Sequence, residues 1–194
     1  MKPSRTMPQA ILVAAASLLL PLAASAHQYD YTYFDGGFVS RDSDRDRSDD
    51  FGLRLTGSAD VASPIAIFGE YVGAGDFEHF TAGAMFHTPI ADFVDVNMGA
   101  SLEHERVPRD SGSGIGLRAG LRWVFLDSQL ELNPEVIHQR LFNTTDTSLR
   151  GAVLYRVLPQ LDLAGALQVG DEDRAELGLR YNFGEASQYR RARY

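Results

Sequence analysis

The side chains best equipped for chemistry are carboxylates and arginines that recur at alternate positions. Asp35, Glu70, Asp95, Glu103, Glu131, Glu135 and Asp162 supply one set, and Arg54, Arg118, Arg122, Arg150, Arg156 and Arg180 the other. A guanidinium is a planar fork that grips a carboxylate with two hydrogen bonds. Held on neighbouring strands, the two sets make ion pairs; facing water, they line a charged channel. The histidines offer less. A hydrolytic triad needs its nucleophile, base and acid on one side of the backbone. His104 has the opposite parity to Ser101 and Glu103, and His138 sits on an apolar parity as well. Asp42, Asp44 and Asp46 begin like a calcium loop, which needs Gly at its sixth position and Glu at its twelfth. Those positions hold Arg47 and Leu53. The sequence therefore points to no catalytic residue, no cofactor and no metal ligand set.

The elements that carry these charges have a period of two. Phe51, Leu53 and Leu55 alternate with Gly52, Arg54 and Thr56; Ile115, Leu117, Ala119, Leu121 and Trp123 alternate with Gly116, Arg118, Gly120 and Arg122. Such alternation marks strands with one apolar and one polar face. It recurs often enough to give ten strands, with eight as the second choice. The first, Tyr31–Ser40, has faces that are hard to assign. Connections alternate between long and polar (41–50, 73–78, 106–114, 141–147 and a brief 170–173) and short (62–64, 88–92, 126–128, 158–160). Odd strands carry acids on the polar face and even strands mostly arginines, with Asp60 and Glu176 the exceptions. Opposite charges on adjacent strands stabilise a sheet. A turn at Leu126-Asp127 puts Arg122 opposite Glu131 and Arg118 opposite Glu135. A turn at Asp127-Ser128 shifts both pairings by two residues. Arg156 should approach Asp162.

Composition sets the compartment. The chain has 194 residues, no cysteine, 18 Lys+Arg and 26 Asp+Glu. The basic balance of a nucleic-acid binder is missing. Lys2 and Arg5 precede an apolar run that ends at Ala24-Ser25-Ala26, the pattern of a cleaved secretory signal. The expected division is a signal peptide at 1–26, a barrel domain at 27–183 and a polar, basic tail at 184–194. Every basic residue after the signal is arginine except for the histidines.

A soluble sandwich and a membrane barrel both use alternating strands. Three features favour the barrel. Its strands run about ten residues, the length needed to span tilted. The polar faces are rich in Gly, Ala and Ser. Aromatic residues (Phe51, Tyr71, Phe80, Phe86, Trp123, Phe125, Tyr155, Tyr181, Phe183) sit near strand ends, where membrane barrels carry girdles. The segment Ala175-Glu176-Leu177-Gly178-Leu179-Arg180-Tyr181-Asn182-Phe183 and the opening Tyr31-Thr32-Tyr33-Phe34-Asp35-Gly36-Gly37-Phe38 resemble the small outer-membrane β-barrel family of Gram-negative bacteria, the OmpA/OmpX-like barrels. The resemblance implies a closed up-and-down antiparallel transmembrane β-barrel in the outer membrane. It also implies an assembly signal at Leu179, Tyr181 and Phe183, read by the outer-membrane assembly machinery. In that family the terminal aromatic usually ends the chain, whereas here residues 184–194 follow it.

The function expected is structural or surface-interacting, with a largely side-chain-filled lumen and with outer-membrane lipid and lipopolysaccharide as surroundings. The charged first loop reads as a solvated segment near lipopolysaccharide phosphates. A narrow channel for small solutes is the first alternative, a lipid-A-modifying enzyme the second and a soluble periplasmic barrel the third. Ligand and oligomeric state are not encoded in any recognisable pattern.

Overall fold

A computed structural model describes residues 29, 31–43, 48–108, 110–125, 129–142, 144–170 and 172–183. The signal segment with Ala24 and Ala26, the centre of the first loop, the turn at 126–128 and the tail at 184–194 lie outside the described residues.

Alternating sequence becomes strand throughout. The strands are β1 (Tyr33–Ser43), β2 (Ser48–Ala62), β3 (Ile65–Ala74), β4 (Phe77–Ala91), β5 (Val94–Val107), β6 (Asp110–Phe125), β7 (Leu130–Leu141), β8 (Thr144–Leu158), β9 (Leu161–Val169) and β10 (Asp173–Asn182). Each pairs antiparallel with its sequence neighbours, and β1 pairs with β10 to close the barrel. Closure leaves no strand edge, so every ladder is satisfied within the wall and the barrel can sit in hydrocarbon. The outward positions fit that solvent. Leu102 is 70% exposed, and Leu53, Leu117, Leu167 and Leu177 are also exposed. A band of exposed leucine around a closed sheet is unfavourable in water and matched to lipid.

The two ends of the barrel differ. The start of β1, the end of β10 and the β2–β3, β4–β5, β6–β7 and β8–β9 junctions share one end, here called the terminal end; the remaining junctions form the loop end. Register shifts at Asp60/Ala62, Pro89/Ala91 and Arg156/Leu158 fall beside terminal-end turns. Pro89 is tolerated there because a bulge does not need its missing donor. The loop end has less loop than its polar sequence suggests. β3 and β4 are separated only by Gly75 and Asp76, and β5 and β6 reach to Val107 and Asp110. Polar residues read as connections instead extend the strands, because the ladder continues to supply partners beyond the apolar band. Gly75 makes its tight turn possible: its φ is +58°, and a Cβ there would press on the Asp50 carboxylate.

The first strand also starts later than its sequence pattern indicates. β1 begins at Tyr33, while Tyr31 leaves the wall and is buried in the barrel with Tyr29. The two tyrosines pack with Ala66, Phe68, Met85 and Val124 into an apolar cluster at the terminal end.

Candidate functional site

The candidate site is the lumen, where strand parity places all the charges singled out above. Its centre is a continuous chain of ion pairs. Arg54 of β2 is the hub: its Nη2 is 2.7 Å from Glu70, and its Nη1 is 3.3 Å from Asp35 and 3.5 Å from Glu176. Asp35 lies directly opposite Arg180 across the β1–β10 seam and accepts from its Nη2 at 3.2 Å. Arg180 in turn lies 3.7 Å from Glu131. Glu131 accepts two bonds from Arg122, from Nε and Nη2, both at 2.9 Å. Arg150 binds Glu176 at 2.6 Å, and Arg156 binds Asp162 at 3.0 Å.

The β6–β7 register decides how Arg122 and Arg118 reach their partners. Phe125 pairs with Leu130 and Val124 with Glu131, the register expected of the Asp127-Ser128 turn. Arg122 therefore meets Glu131 diagonally. Arg118 stands opposite Ile137 and reaches Glu135 only at 3.9 Å, with its guanidinium 4.4 Å over the Phe68 ring.

Two carboxylates pair differently from the arginine-based expectation. Glu103 is flanked by Thr81 on β4 and Gly114 on β6, so no arginine is opposite it. It accepts instead from Thr81 and Ser101, and its Oε2 is 3.0 Å from His79 Nε2. Gly116 makes room for this carboxylate, since a Cβ there would collide with it. Asp95 is opposite Arg122, but that guanidinium is held by Glu131. Asp95 accepts from the Tyr31 hydroxyl at 3.0 Å and lies 3.6 Å from His87 Nδ1.

Both mouths of the lumen are narrowed by groups outside the initial residue set. At the terminal end the Tyr31 ring stacks on His87 at 3.9 Å and lies 4.6 Å beneath Arg122. Its backbone N–H donates to Asp60 at 3.1 Å, and Asp60 is 3.2 Å from His87. Burial pushes the Tyr31 phenol well above its ordinary range, with Arg122 opposing and Asp95 adding to the rise, so the hydroxyl stays a donor. At the loop end Arg41 lies 3.8 Å and Arg174 5.7 Å over the Phe77 ring. Glu172 bridges them, 2.8 Å from Arg41 and in contact with Arg174. Burial alone would raise the Glu172 carboxyl; the Arg174 and Arg41 guanidiniums outweigh it and hold it below the usual carboxylate range.

These mouth residues escaped sequence reading for simple reasons. Arg41 and Glu172 fall in stretches read as connections, and Arg174 lies one residue outside the strand as first bounded. In sequence Tyr31 continues the wall pattern of β1. The usable signal was parity: Arg41 continues the Asp35–Val39 series, and Arg174 the Arg180–Glu176 series.

Between the mouths lies a cavity of about 80 Å³, lined among others by Arg54, Phe68, Arg118, Arg122, Glu135 and Arg150, with a smaller one of about 20 Å³ beside Asp35, Leu154 and Glu176. At roughly 10–15 Å³ of such volume per water, the larger has room for about five to eight waters. On the outer wall, His104 Nδ1 lies 3.0 Å from Ser113 and His138 Nδ1 2.8 Å from Thr147. Glu103 and Ser101 lie on the other side of the wall from His104, so these three do not assemble into a triad.

Fold and lumen together define a transmembrane β-barrel of ten strands with a charge-paired interior. No protein-family model matches the chain, and no curated protein matches it in sequence. Solved structures do. The KdgM porin superposes with a TM-score of 0.52 at 15% identity, over 78% of this chain and 99% of that one. The NanC porin gives 0.53 at 7% identity, over 78% of this chain and all of that one. A KdgM porin in complex with disordered oligogalacturonate gives 0.50 at 11% identity, over 80% of this chain. At such identities the likeness establishes the barrel fold.

Proposed function

We propose that this chain is a non-catalytic outer-membrane barrel of a Gram-negative cell, with a structural or surface-interaction role and a lumen that passes no solute. The observation that carries this reading is the ion-pair chain from Arg122 through Glu131, Arg180, Asp35 and Arg54 to Arg150. It crosses the middle of the lumen and leaves small cavities beside it. An interior of about eight strands is just wide enough for side chains to fill, and wide aqueous channels are typical of about 16–18 strands, so ten strands lie near the filled end. The OmpA/OmpX-like resemblance is part of the proposal, as is entry to the envelope by cleavage after Ala26. Proteoliposomes carrying the full mature barrel should swell in small sugars no faster than empty vesicles. Swelling that depends on solute size would overturn the closed-lumen reading.

A narrow channel is the second reading. Its support is the porin likeness, together with the cavity that Tyr31, which is not part of the wall, helps to line. The oligogalacturonate of the KdgM complex suggests an acidic sugar as the solute to try first.

The assembly signal is assigned to Leu179, Tyr181 and Phe183, which face outward at the terminal end of β10, with the Tyr181 and Phe183 rings 5.0 Å apart. Deleting 184–194 should leave membrane insertion near wild type, and deleting Phe183 with the tail should impair it. The opposite order would move the signal to Tyr194.

A further inference from the structure

Outward-facing cations are absent from most of the described wall. Only His104 and Arg106 on β5, and His138 and Arg140 on β7, point outward. All four lie toward the loop end, on two strands that flank β6. The height of the membrane interface on this side is marked by Phe80, which pairs directly with His104 and packs on Tyr71 at 4.7 Å.

Barrel shear brings His104 of β5 and Arg140 of β7 level. Val94, the first residue of β5, pairs with Trp123, but β6 runs on to Phe125 before β7 begins at Leu130. With both turns at one membrane surface, a level line drops by two residues from β5 to β7. Arg140 lies just that far below the His104–Ser113 row, because it pairs with Ile115. The two strands stand two interstrand spacings apart, about 10 Å. Arg106 lies two residues above His104 and is offset four residues along β6 from Arg140, so the two arginines flank from either end an outward floor that β6 forms with Ser111 and Ser113.

The surroundings fit a lipid. Below the cations Leu102, Ile115, Leu117, Val136 and Leu149 are exposed, a surface for acyl chains. The outward loop-end aromatics Phe38, Phe51, Tyr71 and Phe80 lie on β1–β4, and the cations stand on β5 and β7, with Phe142 following β7 beside Gly112. Arg106 is partly engaged by Glu78 at 2.9 Å, while Arg140 has no ion-pair partner among the described residues.

We infer that the outer wall across β5–β7 binds the phosphate of an anionic lipid headgroup, held by Arg106 and Arg140 with His104, Ser113 and His138 around it. In the proposed location that lipid is the phosphorylated glycolipid of the outer leaflet. The inference rests on the membrane-barrel fold and is independent of whether the lumen is closed.

The test is native mass spectrometry of the full mature barrel in detergent, titrated with lipid A and with the same lipid stripped of its phosphates. The phosphorylated form should bind to the wild type and the stripped form should not. R106Q and R140Q should each weaken binding about fivefold, the effect of removing one interfacial basic charge. R140K should restore most of the loss, and S40Q, outward on β1, should change nothing. Heat-shifted gel mobility reports that each variant is folded. Equal affinity of R106Q/R140Q and wild type, or equal binding of stripped lipid, would overturn the site. Displacement of the lipid by excess inorganic phosphate would overturn the assignment to a lipid headgroup. Solute flux is read separately, so a leaky lumen with an intact lipid site would refute only the functional reading above.

Discussion

The inner and outer faces of the same ten strands follow opposite rules. Along β6, Ile115, Leu117 and Trp123 face outward without polar partners, while Arg118 and Arg122 face inward among aromatic rings and carboxylates. The outer face relies on composition alone: any apolar side chain of fair size meets lipid equally well. The inner face relies on geometry, because a charge removed from water must meet its counter-charge at the right residue. A slip of one residue in any register would exchange the two faces. The inner network thus specifies which barrel forms, and the outer band specifies where it sits.

The comparison breaks if inner charges prove as replaceable as outer leucines. The largest effect is expected for Arg54→Gln. It leaves Asp35, Glu70 and Glu176 without their shared cation, at about 3–5 kcal/mol, less where water enters. Leu117→Arg, halfway along the outer face of β6, should cost about 2–4 kcal/mol in a bilayer. Urea unfolding in lipid compares the two directly, and equal tolerance of Arg54→Gln and a neutral outer substitution would contradict the inner rule.

A smaller effect sharpens the comparison. Arg122→Gln and Glu131→Gln remove the two partners of one bidentate contact. The double variant should lose less stability than the two single losses added together, with a coupling of about 0.5–3 kcal/mol. The analogous cycle on Leu117 and Ala100, which are opposite each other on the outer face, should give coupling near zero.

Much of this was legible in the sequence because parity alone separates the faces. The ten strands follow from alternation, and the sign of charge follows strand number closely enough to suggest neighbours. Two exceptions in sequence find clear places in space: Glu176 lies between Arg150 and Arg54, and Asp60 beside His87. What alternation could not show is what happens at its ends. The seam contact between Asp35 and Arg180 joins positions 145 residues apart, so no neighbour rule reaches it. Arg41, Glu172 and Arg174 look like loop because polar residues at a strand's end have no apolar partners to reveal the period. Tyr31 continues the pattern of β1 although its side chain serves the lumen. His79 and His87 give no sign that carboxylates from other strands will meet them.

The central claim is that paired side chains close the lumen, and single-channel recording of the mature barrel in a planar bilayer tests it most directly. The wild type is expected to insert without a steady unitary current, and Arg54→Gln, if folded, to show brief openings. A large, steady conductance in the wild type would show that these charges line an open pore, and the channel reading would take its place.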